Sequence, residues 1–195
     1  SLHSLKLYDI YLTGSNAFLL SSDLATLFTG RHIEIHVLPF SFKEYCTYYH
    51  SDSDLQTLFE RYVVNGGLSG SYVYEKERGR VDYVKNVYHT ILRRDLTEKY
   101  HLPDSRMLEQ VAEFMMDNIS NTTSPNNVSH CLSANGTATN HSTVGSYLKY
   151  LCDAFMLYKV PRYDIQGKKY LQSLDKYYLA DSGIRFAVLG KRNMD

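Results

Sequence analysis

The chain has 195 residues, 44% hydrophobic and 22% charged, with 21 basic residues balancing 21 acidic ones. Such a composition supplies a folded core and excludes a disordered chain, and the length sits at the border between one domain and two. No uninterrupted apolar run of about 18 residues exists, and the opening SLHSLKLYDI has neither the charged start nor the apolar centre of a secretory signal. No membrane span is therefore expected, and the cytoplasm is the expected location.

Residues 8–13 (YDIYLT) alternate and are rich in aromatic and β-branched types, and GSN follows, which predicts a short buried strand ending in a tight turn. Residues 17–28 place Phe18, Leu19, Leu24, Leu27 and Phe28 at helical spacing, with Gly30 as the C-terminal cap. A second strand, HIEIHVLP, ends at Pro39. Strand, helix, strand is one crossover of a parallel α/β sheet, with GSN at the carboxyl end where such sheets hold ligands.

Beyond Pro39 the pattern turns helical. FSFKEYCTYY and SDLQTLFERYVV read as amphipathic helices, the second capped by Ser53 or Asp54 and stopped by Gly66 and Gly67. A loop through GGLSG leads to a long helix around VDYVKNVYHTILRRDL, whose stripe of Val84, Val87, Tyr88, Ile91 and Leu92 is core. A further helix over about 104–118 carries Met107, Leu108, Val111, Phe114 and Met115, with methionine as gap filler. From Pro125, NNVSHCL is a short helix, SANGTATNHS a turn and STVGSYLKYLCDAFML a longer helix. LYKVPRYDIQGKKYLQSLDKYYLAD is then a hairpin turning at Gln166 and Gly167. Helix, turn, helix and hairpin is the order of a winged helix-turn-helix. The expected fold class is α+β and mostly helical: a truncated parallel α/β remnant over 1–40, a helical lid-like region over 41–122 and a winged helix over 123–195.

Cys46, Cys131 and Cys152 are odd in number and widely spaced, which suggests neither a disulfide framework nor zinc, and they are expected to be reduced and buried. His32 and His36 would share a strand face but have no third metal ligand in sight. Five Asn-x-Ser/Thr sequons begin at Asn118, Asn121, Asn127, Asn135 and Asn140. They are read as cap and turn composition. From Asn126 onward nine basic residues face five aspartates and no glutamate, so the C-terminal part is net positive and the remainder net negative. That imbalance points weakly to a polyanion.

Six segments in order, DIYLTGSNAFLL, LFTGR with HIEIHVLPFSFKEY, NGGL, HTILRRDL, STVGSYLKYLCDAFML and DKYYLADSGIR, resemble the large prokaryotic group of AAA-type ATPases that carry a conserved domain of unknown function behind the ATPase core. That group holds phosphates with a P-loop, GxxxxGK[ST]. Here the only Gly-Lys pairs, Gly167-Lys168 and Gly190-Lys191, lack both the following Ser/Thr and the upstream glycine. The resemblance therefore implies a chain lying downstream of the nucleotide-binding loop. ATP and Mg²⁺ would belong to the full-length parent, with neither held tightly here and no hydrolysis by the chain alone. It also implies that YLTGSN is a γ-phosphate-sensing strand end, so that Asn16, with Ser15, contacts phosphate or orients water. Asn16 as a plain helix cap is the other reading. Arg31 corresponds to a recurrent family arginine that is either a phosphate finger or a structural ion-pair partner. Arg93 and Arg94 are equally open, with Asp95 or a neighbouring acid as partner. No nuclease carboxylate set follows the wing.

Two functions compete. In the first the chain is a nucleotide-dependent regulatory module, its partner a protein or its own ATPase core. In the second it is a winged-helix transcriptional regulator, reading DNA with His141, Ser142, Ser146 and Lys149 while Lys168 and Lys169 on the wing touch phosphates. The absence of an arginine on that helix, where guanine would be gripped, favours the first and leaves weak DNA contact. Self-association through the exposed N-terminal strands is also expected.

Overall fold

The structure, a computed structural model, describes residues 11, 13–14, 33, 35–50, 54–103, 105–161 and 174–190. The strand expected over 8–13, the helix over 17–28 and the turn at Gln166 and Gly167 fall largely or wholly outside these. The strand expected over 32–39 shows no sheet pairing at its described residues, 33 and 35–39.

Helix α1, Phe42–Tyr49, starts at a capping box. Ser41 Oγ accepts from the Glu44 amide at 3.4 Å while the Ser41 amide donates to Glu44 Oε2 at 2.8 Å, so two open donors are satisfied at once. Helix α2, Leu55–Asn65, is capped by Asp54 and stops at Gly66. A 3₁₀ turn, Ser69–Val73, leads to α3, Glu77–Thr90. The helix continues past α3 as a π-helical stretch, Ile91–Glu98, in place of the uniform α-helix expected. In that wider winding Thr97 Oγ1 donates to the Leu92 carbonyl at 2.8 Å, and Leu92, Asp95 and Leu96 all turn inward.

Helix α4, Ser105–Asp117, is followed by a two-residue strand β1, Thr122–Thr123, then α5, Pro125–Ala134, and α6, His141–Asp153. Ser124 and Asn140 cap α5 and α6 through the Asn127 and Thr143 amides, so part of the Asn/Ser/Thr-rich composition is indeed helix capping. Strands β2, Leu157–Val160, and β3, Asp175–Leu179, pair antiparallel, and β1 joins the other edge of β3, giving the order β1-β3-β2. Helix α7, Ser182–Leu189, follows without a sequence expectation behind it. The described chain is thus α+β and mostly helical.

One hydrophobic core runs from Val84 to Ala187, crossing residue 122. Leu108, Val111 and Met115 of α4 and Val144 and Leu151 of α6 have no exposed surface at its centre. Burying side chains of this size stabilises the fold by about 1.5–3 kcal/mol each. Tyr45, Leu58 and Tyr72 form a smaller aromatic core under α1 and α2. Met115 fills the main core as expected, Met107 packs against it only partly buried, and Met116 and Met156 join it. The cysteines do not follow expectation: all three are free, but Cys131 is exposed and the others only half-buried, because α5 turns Cys131 to its outer side. Phe155, next to α6, stands at φ 55°, a left-handed conformation that costs a non-glycine residue about 1–2 kcal/mol.

Candidate functional site

Two places merit the description. The first is built where α2 ends. Gly66 ends the helix at φ 72°, ψ −170°, its amide bonded to the Tyr62 carbonyl at 2.8 Å. The Gly66 carbonyl accepts from Tyr72 Oη at 2.7 Å. The Gly67 amide donates to Asp181 Oδ2, and the Gly67 carbonyl accepts from the Phe40 amide at 2.8 Å. Tyr62 Oη in turn donates to the Phe40 carbonyl at 2.8 Å. Asp181, the N-cap of α7, uses its other oxygen to accept from the Gly183 amide at 2.8 Å. Space is as tight as the bonding. A Cβ on Gly67 would overlap the Phe40 carbonyl, and one on Gly183 would overlap the Asn65 carbonyl. The NGGL and ADSGIR segments, distant in sequence, therefore close on each other and on the segment leading into α1.

Asp181 is buried. Burial pushes its carboxyl above the usual carboxylate range, while the amides of Gly67, Gly183, Ile184 and Leu68 pull it back down. Desolvation also raises Tyr62 and Tyr72, with the Asp181 charge adding to it. A carboxyl with a higher pKa folded than unfolded holds its proton more tightly in the folded state. Its stabilising contribution is complete below about pH 4 and is lost as pH rises through the folded value. The stability margin of wild type over Asp181→Asn, from urea unfolding, is expected to shrink between pH 4 and neutrality; a margin that widens contradicts this assignment.

The second place is the outer side of α6. His141, Ser142, Ser146 and Lys149 are all exposed and share one face, with Ser146 Oγ donating to the Ser142 carbonyl at 3.2 Å. On the adjoining sheet Tyr158 lies opposite Tyr178 and Val160 opposite Lys176, and all four are exposed. Lys159 is committed to Asp175 at 2.8 Å. Ser15, Asn16, Arg31, Lys168 and Lys169 lie outside the described residues. Arg94 bonds the nearly buried carboxylate of Asp95 at 3.0 Å, and Arg93 lies 4.0 Å from Glu98, an exposed pair of little energetic weight. Among the described residues no group of His, Cys, Asp and Glu could hold a metal, and no helix is long and apolar enough to cross a membrane.

The Gly67 and Asp181 sides of the joint and the main core fall within a recognised family: residues 56–195 match a domain of unknown function (DUF8612), and the chain belongs to that family. Residues 2–46 match an AAA domain, and the segment entering the joint at Phe40 lies within that match. The chain is 35% identical over 187 residues to an uncharacterized protein of Haemophilus influenzae, covering 94% of this chain and 46% of that protein. It is 21% identical over 196 residues to an uncharacterized protein of Methanocaldococcus jannaschii, covering 95% of this chain and 44% of that one. The chain thus spans less than half the length of either relative. No solved structure matches it.

Proposed function

We propose that the chain is the C-terminal part of an AAA-type ATP-binding protein and serves as a nucleotide-dependent regulatory and interaction module without ATPase activity of its own. The observation that carries this reading is the joint at Gly67 and Asp181. The AAA-matching segment meets the rest of the fold there through Phe40, so a displacement arising on the AAA side is delivered to α7 and the main core. From α4 to β3 the order helix, strand, helix, helix, strand, strand with sheet order β1-β3-β2 supports a winged helix-turn-helix. Its first helix is then α4, placing the expected boundary at 122/123 inside it. The partner is a protein or the parent's own ATPase core. In the parent, ATP and Mg²⁺ are held by a P-loop that this sequence does not contain, with Ser15, Asn16 and Arg31 on the phosphate side.

The purified chain supplied with Mg·ATP is expected to show no turnover. Turnover abolished by Asn16→Ala and Arg31→Ala together would contradict this; turnover that survives both changes marks a contaminant. Ile33, Ile35, Val37 and Leu38 are between 62% and 90% exposed, which supports self-association through the N-terminal segment. Light scattering at high micromolar concentration is expected to find dimers.

A DNA-binding winged helix is the second reading, favoured by the open face of α6. Against it, that face offers one lysine and no arginine, and Lys159 beside it is already paired.

A further inference from the structure

Helix α6 closes with two hydrogen bonds of a Schellman ending: the Phe155 amide donates to the Cys152 carbonyl and the Met156 amide to the Leu151 carbonyl, both at 3.0 Å. Leu151 and Met156, the positions whose apolar contact accompanies this ending, are both buried in the main core. Its left-handed position favours glycine, yet Phe155 occupies it at φ 55°. The ring is only half-buried, and His36 meets it edge-on, with ring centroids 5.3 Å apart and planes at 88°. The same turn carries the base of the hairpin, since the Ala180 amide donates to the Met156 carbonyl at 3.0 Å. Four residues after His36, Phe40 is fixed to Gly67. Between these two points Val37 and Leu38 stand in solvent, as does Ile35 just before His36, so hydrophobic burial does not hold the segment down.

We propose that residues 35–40 form a strap with two anchors. Phe40 ties it to the Gly67–Asp181 joint, and His36 ties it to Phe155 at the base of the β2–β3 hairpin. A phenylalanine stands where glycine is conformationally easier because its ring is the second anchor. The strap gives the AAA-matching segment a direct hold on the hairpin, independent of the path through α7. The proposal rests on the regulatory reading for what pulls the strap, and on geometry alone for where the strap sits.

The test is ¹⁵N relaxation on the whole chain. Order parameters at 35–38 are expected near about 0.85 in wild type and below about 0.6 in His36→Ala and in Phe155→Ala. His36→Phe keeps an aromatic edge and is expected to preserve the order. Phe155→Gly separates the anchor from general damage. It removes the ring and the left-handed strain together, so the strap is expected to be as loose as in Phe155→Ala while the protein melts about 2–4 °C higher than that variant. Values already below about 0.6 in wild type, or rigid values in both Phe155 variants, would overturn the strap. Equal melting of Phe155→Gly and Phe155→Ala would overturn the strained anchor. Neither ATP nor DNA is in the sample, so a failed strap leaves the function reading to its own tests, and ATP turnover or tight DNA binding would remove that reading without touching the strap.

Discussion

Replacing Gly66 by alanine is expected to destabilise the fold by about 3 kcal/mol or more, summing backbone strain and overpacking. At φ 72° and ψ −170° the residue occupies a region that side chains essentially never adopt. A Cβ would also overlap Asp181 Oδ1, which cannot retreat because it accepts from Gly183. Relief requires moving either the end of α2 or the start of α7, and both are packed against the main body. Gly190 is the control. It has φ 68°, but nothing lies within 4 Å of a Cβ placed there, so Gly190→Ala carries the strain alone. Urea unfolding is expected to place Gly66→Ala well below Gly190→Ala in midpoint. Equal midpoints would mean that the joint yields without cost.

Asp181→Ala is the second large effect, expected at about 2–5 kcal/mol. The change leaves the amides of Gly67 and Gly183 without their acceptor in a closed space, and a buried donor stripped of its partner costs about 1–3 kcal/mol. It also uncaps α7. Asp181→Asn keeps one acceptor oxygen but turns an NH₂ group towards the other amide, so its loss is expected to be intermediate. Because α7 packs on α2 and α3, the damage is expected to spread to both helices as faster hydrogen exchange. Exchange confined to α7 would show that Asp181 is only a cap.

Much of the helical order was legible in the sequence because its signals are local. The Val84, Tyr88 and Leu92 stripe, the Asp54 cap and the Gly66 stop each act within a few residues, and each lies where expected. The antiparallel strands of the hairpin were readable from Leu157 and from the Asp175–Leu179 run. Strand β1 was not, since two threonines have no period and acquire strand character only by pairing with β3. Helix α7 has a local signal too, Asp181 before an apolar run closed by Gly190, but the signal directly follows the strand pattern of Asp175–Leu179 and is hidden by it. In the π-helical stretch the adjacent Asp95 and Leu96 both turn inward, an arrangement that helical periodicity conceals. The joint was half visible: NGGL stood out as a segment, but its partner lies 114 positions away in sequence at Asp181. Only folding brings the two together.

A titration of fluorescent duplex DNA with the whole chain at two salt concentrations bears most directly on whether this is an interaction module or a sequence-reading regulator. The expected result is no binding tighter than the ~10⁻⁴ to 10⁻⁶ M of a generic basic surface at physiological salt, with little change when Lys168 and Lys169 are both replaced by alanine. Nanomolar, sequence-selective binding, with a log-affinity against log-salt slope made shallower by up to about 2 units in that double variant, would contradict it.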